Sequence, residues 1–423
     1  MWPLSRVSPG PAGRNGAVKV RFLIANAYRA AGTVRTTYNV AGALAQQHGF
    51  EVEVVSVFRT RPRPAFPLPE GVHLTSLVDS RPRHVEELQT GEGGPEARQR
   101  MERWMRTQPS RLIHRNDWRH SEFSLYSDAQ LTRYLRSVRD GVLIGTRPGL
   151  NLAIARLAHP SVVRIGQEHV NLASHHDKLL KAFKRGYPRL DLCTTLTEED
   201  ASTFRDLLGP KVRVMCIPNG IFHVPGGWPD QQSKVVVAAG RYEYQKGFSL
   251  LIRAWEHVAE KHPDWQLRIF GHGNRGAHLQ EVIDTHRMGD HVRLMGYTSQ
   301  LDKELAASAF FVLSSRYEGF PMVLLEAMAA GLPAVSYDCL TGPRDLIDQG
   351  RNGFLVPNGN VSALGASISK MIELGPERRD AMGQAALETT RGYNVDVLAA
   401  RWADVIDNLT GERGRAQVGA VSP

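Results

Sequence analysis

The sequence predicts an α/β protein made of two doubly wound, Rossmann-like domains that face each other across a cleft. Three observations carry that prediction. The chain has 423 residues, more than one ordinary core encloses and enough for two domains. Short apolar, β-branched runs alternate with segments of helical spacing along most of its length. The strand-like runs are apolar throughout, as parallel strands are when helices cover both faces of a sheet.

Residues 1–17, rich in Pro, Gly and Arg, read as a flexible tail, and order begins at Val18. VKVRFLIANA is a strand, TTYNVAGALAQQHG a helix closed by Gly49, and FEVEVVSVF a second strand, together a right-handed βαβ unit. From Arg59 to about Ser121 the pattern weakens, and the stretch reads as an insertion over the sheet edge with amphipathic pieces such as EARQRMERWMR. Strand and helix signals resume with GVLIGT, LNLAIARLA, VVRIGQEH, LDLCTTLT and VRVMCIP, which complete a first domain over 18–221. Pro, Gly and polar residues mark 222–233 as a linker. A second domain over 234–390 alternates strands such as KVVVAAGR, WQLRIFG, HVRLMGY, FFVLSSR and PAVSYD with helices. Residues 391–410 are expected to form a helix packed back on the first domain, and 411–423 a flexible tail.

The net charge of +9 is uneven: residues 1–222 carry +12 and the remainder −3. A basic half suits an acidic partner, such as a phosphorylated lipid, an anionic polymer or a membrane surface, or is simply a solvated face. Cys193, Cys216 and Cys339 lie far apart without CxxC spacing and read as buried thiols of a reducing compartment. The N-terminus lacks the apolar core of a signal peptide, and no run of about 18 apolar residues occurs. A cytoplasmic protein is expected, with the basic domain available for peripheral contact with the membrane and with no nucleic-acid partner.

Chemistry concentrates in two strings. In SSRYEGFPMVLLEAMAAGLP, Glu318 follows a strand, Gly319 and Pro321 shape a turn, and the amides of Met322, Val323 and Leu324 open a helix. Free N–H groups and the helix dipole there suit a phosphate or a sugar hydroxyl. Glu326 lies about one turn further on. Ionised carboxylates only accept hydrogen bonds, so Glu318 and Glu326 match the paired hydroxyls of a sugar or a ribose; singly, each also suits a helix cap or a surface position. In AAGRYEYQKGFSLLIRA, Arg241 ends a strand and Lys246 opens the next helix, so a rigid fork and a mobile point charge can converge on one diphosphate.

EGFPMVLLE, with glutamates eight positions apart, together with GRYEYQKG, FGHGN, NGFLVP and GNVSALGASI, resembles the retaining glycosyltransferases of family 4, which have the GT-B fold. ANAYRAAGTVR, GTRPGLN, GQEHVN, TLTEED and IPNGI extend the resemblance more loosely into the first domain. It implies an acceptor-binding first domain, a nucleotide-sugar-binding second domain, and hexose transfer from a nucleoside diphosphate sugar, UDP by default. The acceptor it leaves open is an anionic cell-wall polymer, a lipid carrier or a polysaccharide.

Residue by residue, the resemblance implies that Arg241 and Lys246 hold the diphosphate and stabilise its departing charge. Glu318, with the backbone of Gly319 and Phe320, would grip the transferred sugar, and Glu326 the ribose. Gly271 and Tyr297 would lie near the base, and Gly32 would let the backbone approach the donor phosphates. His169, rather than His175 or His176, would reach the sugar from the first domain. The catalytic set is thus Arg241, Lys246, Glu318 and His169, and Arg35, Arg111, Arg115 and Arg119 are candidates for an anionic acceptor group. Two departures from the family pattern occur: AAGTVR has one glycine where many relatives have two, and Asp345 replaces a more frequent Glu. With no Asp-x-Asp pair and no metal-like histidine spacing, neither a metal nor a cofactor is expected. No protein nucleophile presents itself, so departure and attack on one face are expected. A sugar-nucleotide epimerase or a catalytically silent binding subunit would share this architecture.

Overall fold

The structure is a computed structural model that describes residues 17–82, 96–222 and 227–419. The tail expected over 1–17 falls almost wholly outside these residues, as do residues 223–226 of the linker expected over 222–233.

Two parallel sheets organise the chain. The first contains β1 (Lys19–Ile24), β2 (Glu51–Arg59), β3 (Val72–Asp79), β4 (Val142–Gly145), β5 (Val163–Gln167), β6 (Leu192–Thr195) and β7 (Val214–Cys216), in the order β3-β2-β1-β4-β5-β6-β7. The second contains β8 (Val235–Ala239), β9 (Gln266–Phe270), β10 (Val292–Gly296), β11 (Phe310–Leu313), β12 (Ala334–Asp338) and β13 (Gly353–Pro357), in the order β10-β9-β8-β11-β12-β13. Successive side chains of a strand point to opposite faces. In β1, Phe22 therefore packs in one core with Val52 and Ile144, and Leu23 in another with Val55 and Leu143. Burial on both faces is the physical reason these strands read as continuous apolar runs.

The order of winding reverses between β1 and β4 and again between β8 and β11. Loops leaving the carboxyl ends of such strand pairs diverge, and the crevice they leave is where ligands bind in open α/β sheets.

The helix Gly32–His48 stops where Gly49 takes a left-handed φ of 67° and donates its N–H to the Leu44 carbonyl. Between Arg59 and Ser121, where an insertion was expected, Val72–Asp79 instead pairs with β2 as the edge of the sheet. Only Val72 and Val78 of its residues are buried, which weakens the apolar signal. Residues Glu96–Thr107 of the same stretch are helical. The last helix, Val395–Gly419, runs through the region from 411 where a loose tail was expected. Glu412 there accepts from Arg213 at 2.9 Å, and Arg413 pairs with Asp191. Trp402, Ile406 and Leu409 of this helix enter the core of the first unit beside Val20 and Leu44. Cys193 and Cys339 are buried, whereas Cys216, on the edge strand β7, is only half-buried. Among the described residues no helix is long and apolar enough to cross a membrane.

Candidate active site

The loop after β8 is drawn onto the end of β11. Gly247 has a φ of 63°, and a Cβ on it would lie 2.1 Å from the Ser314 carbonyl oxygen. Only glycine fits there. The Ser314 hydroxyl donates to the Lys246 carbonyl at 2.9 Å, and Gln245 Nε2 donates to the Tyr317 carbonyl at 3.0 Å. These contacts bring Lys246 Nζ to 2.6 Å from Glu318 Oε1, with only 15% and 7% of the two side chains exposed. Thr341 Oγ1 fixes the Glu318 backbone by donating to its carbonyl at 2.8 Å.

The first unit closes on the same place. Asn171 Nδ2, two residues past His169, donates to the Glu318 carbonyl at 3.2 Å. Gly319 lies against the backbone of His169, where a Cβ would stand 2.1 Å from the His169 carbonyl oxygen. Arg35, in the first turn of the helix Gly32–His48, donates from Nη1 to Glu326 Oε1 at 2.7 Å. Burial raises the Glu326 carboxyl above its usual range, and the Arg35 charge opposes that shift. The His169 ring has a buried, unpartnered Nε2, and burial lowers its pKa to about 4, so the ring is neutral near pH 7. Beside it, Glu168 turns inward, accepting from Tyr187 Oη and, at 2.7 Å, from Asn151 Nδ2. Burial pushes Glu168 up to about 7.

The fold thus gathers Lys246, Glu318, Gly319, His169, Arg35 and Glu326 at the crevice. Arg241 occupies the same loop as Lys246 but is turned to Glu243 Oε1 at 2.8 Å. Phe320 is buried with its ring 5.7 Å from that of Tyr393, and Pro321 precedes the helix Met322–Ala329. Two of the amides that open this helix already donate within the turn, Met322 to the Phe320 carbonyl at 2.9 Å and Leu324 to that of Pro321 at 3.0 Å; Val323 follows Met322 in the same turn. Gly271 follows β9, and the exposed Tyr297 follows β10 with its ring edge-on to His272. A Cβ on Gly32 would meet open space. Of the arginines grouped for an acceptor, Arg35 sits on Glu326 instead, Arg119 pairs with Glu122, and Arg111 and Arg115 are exposed. Asn171, Gln245 and Thr341 went unnoticed in the sequence. An amide just past a strand end was a usable signal for Asn171; Thr341 is marked by a φ of 56°, which only the structure reveals.

Two parallel, Rossmann-like units whose switch points face each other define the GT-B class of protein. Residues 227–389 match the family described as glycosyl transferases group 1. Over 94% of its length the chain is 34% identical to an exopolysaccharide phosphotransferase of Streptomyces coelicolor, but it spans only 41% of that relative. It is 24% identical over 92% of its length to an uncharacterized glycosyltransferase of Haemophilus influenzae, of which it spans 99%. Among solved structures, S. aureus TarM in complex with fondaparinux, alpha-GlcNAc-glycerol and UDP aligns with a TM-score of 0.73 at 15% identity, over 92% of this chain and 100% of that one. Over residues 227–389 the chain is thus similar to the group 1 glycosyltransferases.

Proposed function

We propose that the chain moves a hexose from a nucleoside diphosphate donor, with UDP as the first candidate, to a hydroxyl of an anionic cell-surface polymer. The transfer retains the anomeric configuration and needs no metal ion. The observation that carries this reading is the Lys246–Glu318 contact at the switch point of the second sheet, faced across the crevice by His169 and Asn171. A cation suited to a diphosphate and a carboxylate suited to sugar hydroxyls stand side by side before any donor arrives. Donor entry exchanges the Lys246–Glu318 and Arg35–Glu326 pairs for contacts of the same charge-assisted kind.

In the proposed step the bond from C1 to the diphosphate oxygen breaks, its electron pair leaves with that oxygen, and Lys246 stabilises the developing charge together with Arg241 once that side chain leaves Glu243. The acceptor oxygen bonds to C1 on the same face, and its proton goes to the departing phosphate oxygen. The first unit offers a carbonyl and a neutral ring at His169, while the Glu168 carboxyl is held inward by Tyr187 and Asn151. That arrangement favours same-face attack over a covalent intermediate.

Incubating the protein with UDP-, GDP- and ADP-hexoses and a phosphodiester polymer tests the reading. An α-hexosyl donor should give an α-linked product and free nucleoside diphosphate, at a rate unchanged by EDTA. EDTA inhibition relieved by Mg²⁺ would overturn the metal-free mechanism. The name of the Streptomyces relative suggests a second reading, transfer of a sugar phosphate. That reaction releases a nucleoside monophosphate, so the nucleotide product separates the two. A new sugar nucleotide formed from donor alone would instead identify an epimerase.

A further inference from the structure

The carboxyl edge of the first sheet carries cations the transfer step does not use. At the end of β2, Arg59 is a half-buried guanidinium with no carboxylate partner among the described residues. Its Nη2 donates to the Pro62 carbonyl at 3.1 Å, its Nε is buried without a partner, and its guanidinium lies 5.8 Å from the Tyr28 ring. Next to Tyr28, in the loop after β1, Arg29 Nη1 donates to Glu122 Oε1 at 2.9 Å. Arg119 Nη1 donates to the same oxygen at 2.7 Å, so two cations share one carboxylate. Trp118, whose ring lies 5.9 Å from the Arg119 guanidinium, is 72% exposed. Arg61 and Arg63 are exposed just beyond Arg59. Arg147, after β4, is by contrast buried and neutralised by Asp117.

Two contacts tie these groups together: Arg59 lies over the ring of Tyr28, the neighbour of Arg29, and Arg29 shares Glu122 with Arg119. The loop that carries Tyr28 and Arg29 continues to Gly32 and Arg35, and Arg35 touches Glu326 across the crevice. One end of the path therefore reaches the candidate donor site and the other leaves the protein at Arg63.

We propose that this edge is an acceptor track for a chain of phosphodiesters, with Arg59, Arg29 and Arg119 as its anion contacts, Trp118 as a stacking face for a sugar, and Arg61 and Arg63 extending it outward. The direction of the track rests on the sugar-transfer reading; its binding chemistry does not. A half-buried guanidinium without a counter-charge is expensive unless an anion completes it. A flat lipid surface fits less well, because the path runs along strand ends towards the second unit, where a bilayer has no access.

The test is equilibrium binding of the full chain, without donor, to poly(glycerol phosphate) and to uncharged polyglycerol of equal length. The phosphodiester chain should bind and the neutral one should not. Raising salt should weaken binding along a log–log slope that becomes shallower by about one for each phosphate contact removed. Arg59→Gln and the exposed-loop pair Arg61→Gln/Arg63→Gln should each lower affinity several-fold, with an unchanged thermal midpoint reporting that the fold persists. Equal binding of the neutral polymer would overturn the track. So would competition by inorganic phosphate at the same phosphate concentration, which would mean an isolated anion site, or binding of phosphatidylglycerol vesicles but not of the polymer. Because no donor is present, failure of sugar transfer leaves this result untouched, and failure of polymer binding leaves the transfer reading standing.

Discussion

Lys246 and Glu318 hold each other where little water reaches either charge. Removing one partner of such a pair costs far more than the pair itself contributes, because it leaves a buried charge without its counter-charge. Lys246→Met is expected to lower stability by about 3 kcal/mol and to slow donor turnover by about 100-fold or more. The double variant Lys246→Met/Glu318→Gln should recover most of the stability and none of the activity, as read by urea unfolding and by nucleotide release. Activity in the double variant would remove both residues from the catalytic role. Gly319 offers a separate probe. A Cβ there meets the His169 carbonyl rather than the core of either unit. Gly319→Ala should therefore keep its thermal midpoint while losing transfer, and full activity would mean that the two units stand further apart during turnover.

The last helix belongs to one unit by chain order and to the other by packing. It leaves the second unit at Asn394, which bridges to Ile221, and then buries Trp402, only 1% exposed, among side chains of the first sheet. Truncating a large buried aromatic removes its transfer energy and leaves a cavity. Trp402→Ala is expected to cost about 3–5 kcal/mol in denaturant unfolding. A change below about 1 kcal/mol, the level of a surface substitution, would mean that the helix is detached in solution.

Across the molecule, buried titratable groups set opposing responses to acid. Glu168 and Asp345 are raised from 4.5 to about 7 and from 3.8 to about 6, chiefly by burial. An acid raised in the folded state contributes stability below its unfolded pKa and loses it as pH rises through the folded value. His169 and His175 are lowered from 6.5 to about 4, again by burial. Their contribution is full above pH 6.5 and is lost as pH falls towards 4. The acids therefore favour the fold on acidification while the histidines oppose it. Relative to the native chain, His175→Asn should gain thermal stability when the pH is lowered from about 6.5 to about 5, inside the window of that histidine. A loss over the same interval would contradict the burial of His175.

Local features of the sequence were enough for the two doubly wound units, the stop at Gly49, and the placement of Lys246, Glu318 and Glu326 at strand-to-helix junctions. Periodicity and glycine stops act over a few residues, so one strand's worth of sequence shows them. The edge strand Val72–Asp79 escaped because its pattern is diluted by partly exposed positions, and the helical run to Gly419 because its anchors, Asp191 and Arg213, lie on the other unit. Which charge meets which was beyond reach for the same reason. Arg35 and Glu326 are 291 positions apart, and Asn171 and Glu318 are 147. The sequence by itself determined what each loop could offer a ligand. Only the approach of the two sheets decided that Arg35 would face Glu326 rather than join Arg119, because a contact between loops of separate units depends on how both units sit and is encoded in neither loop alone.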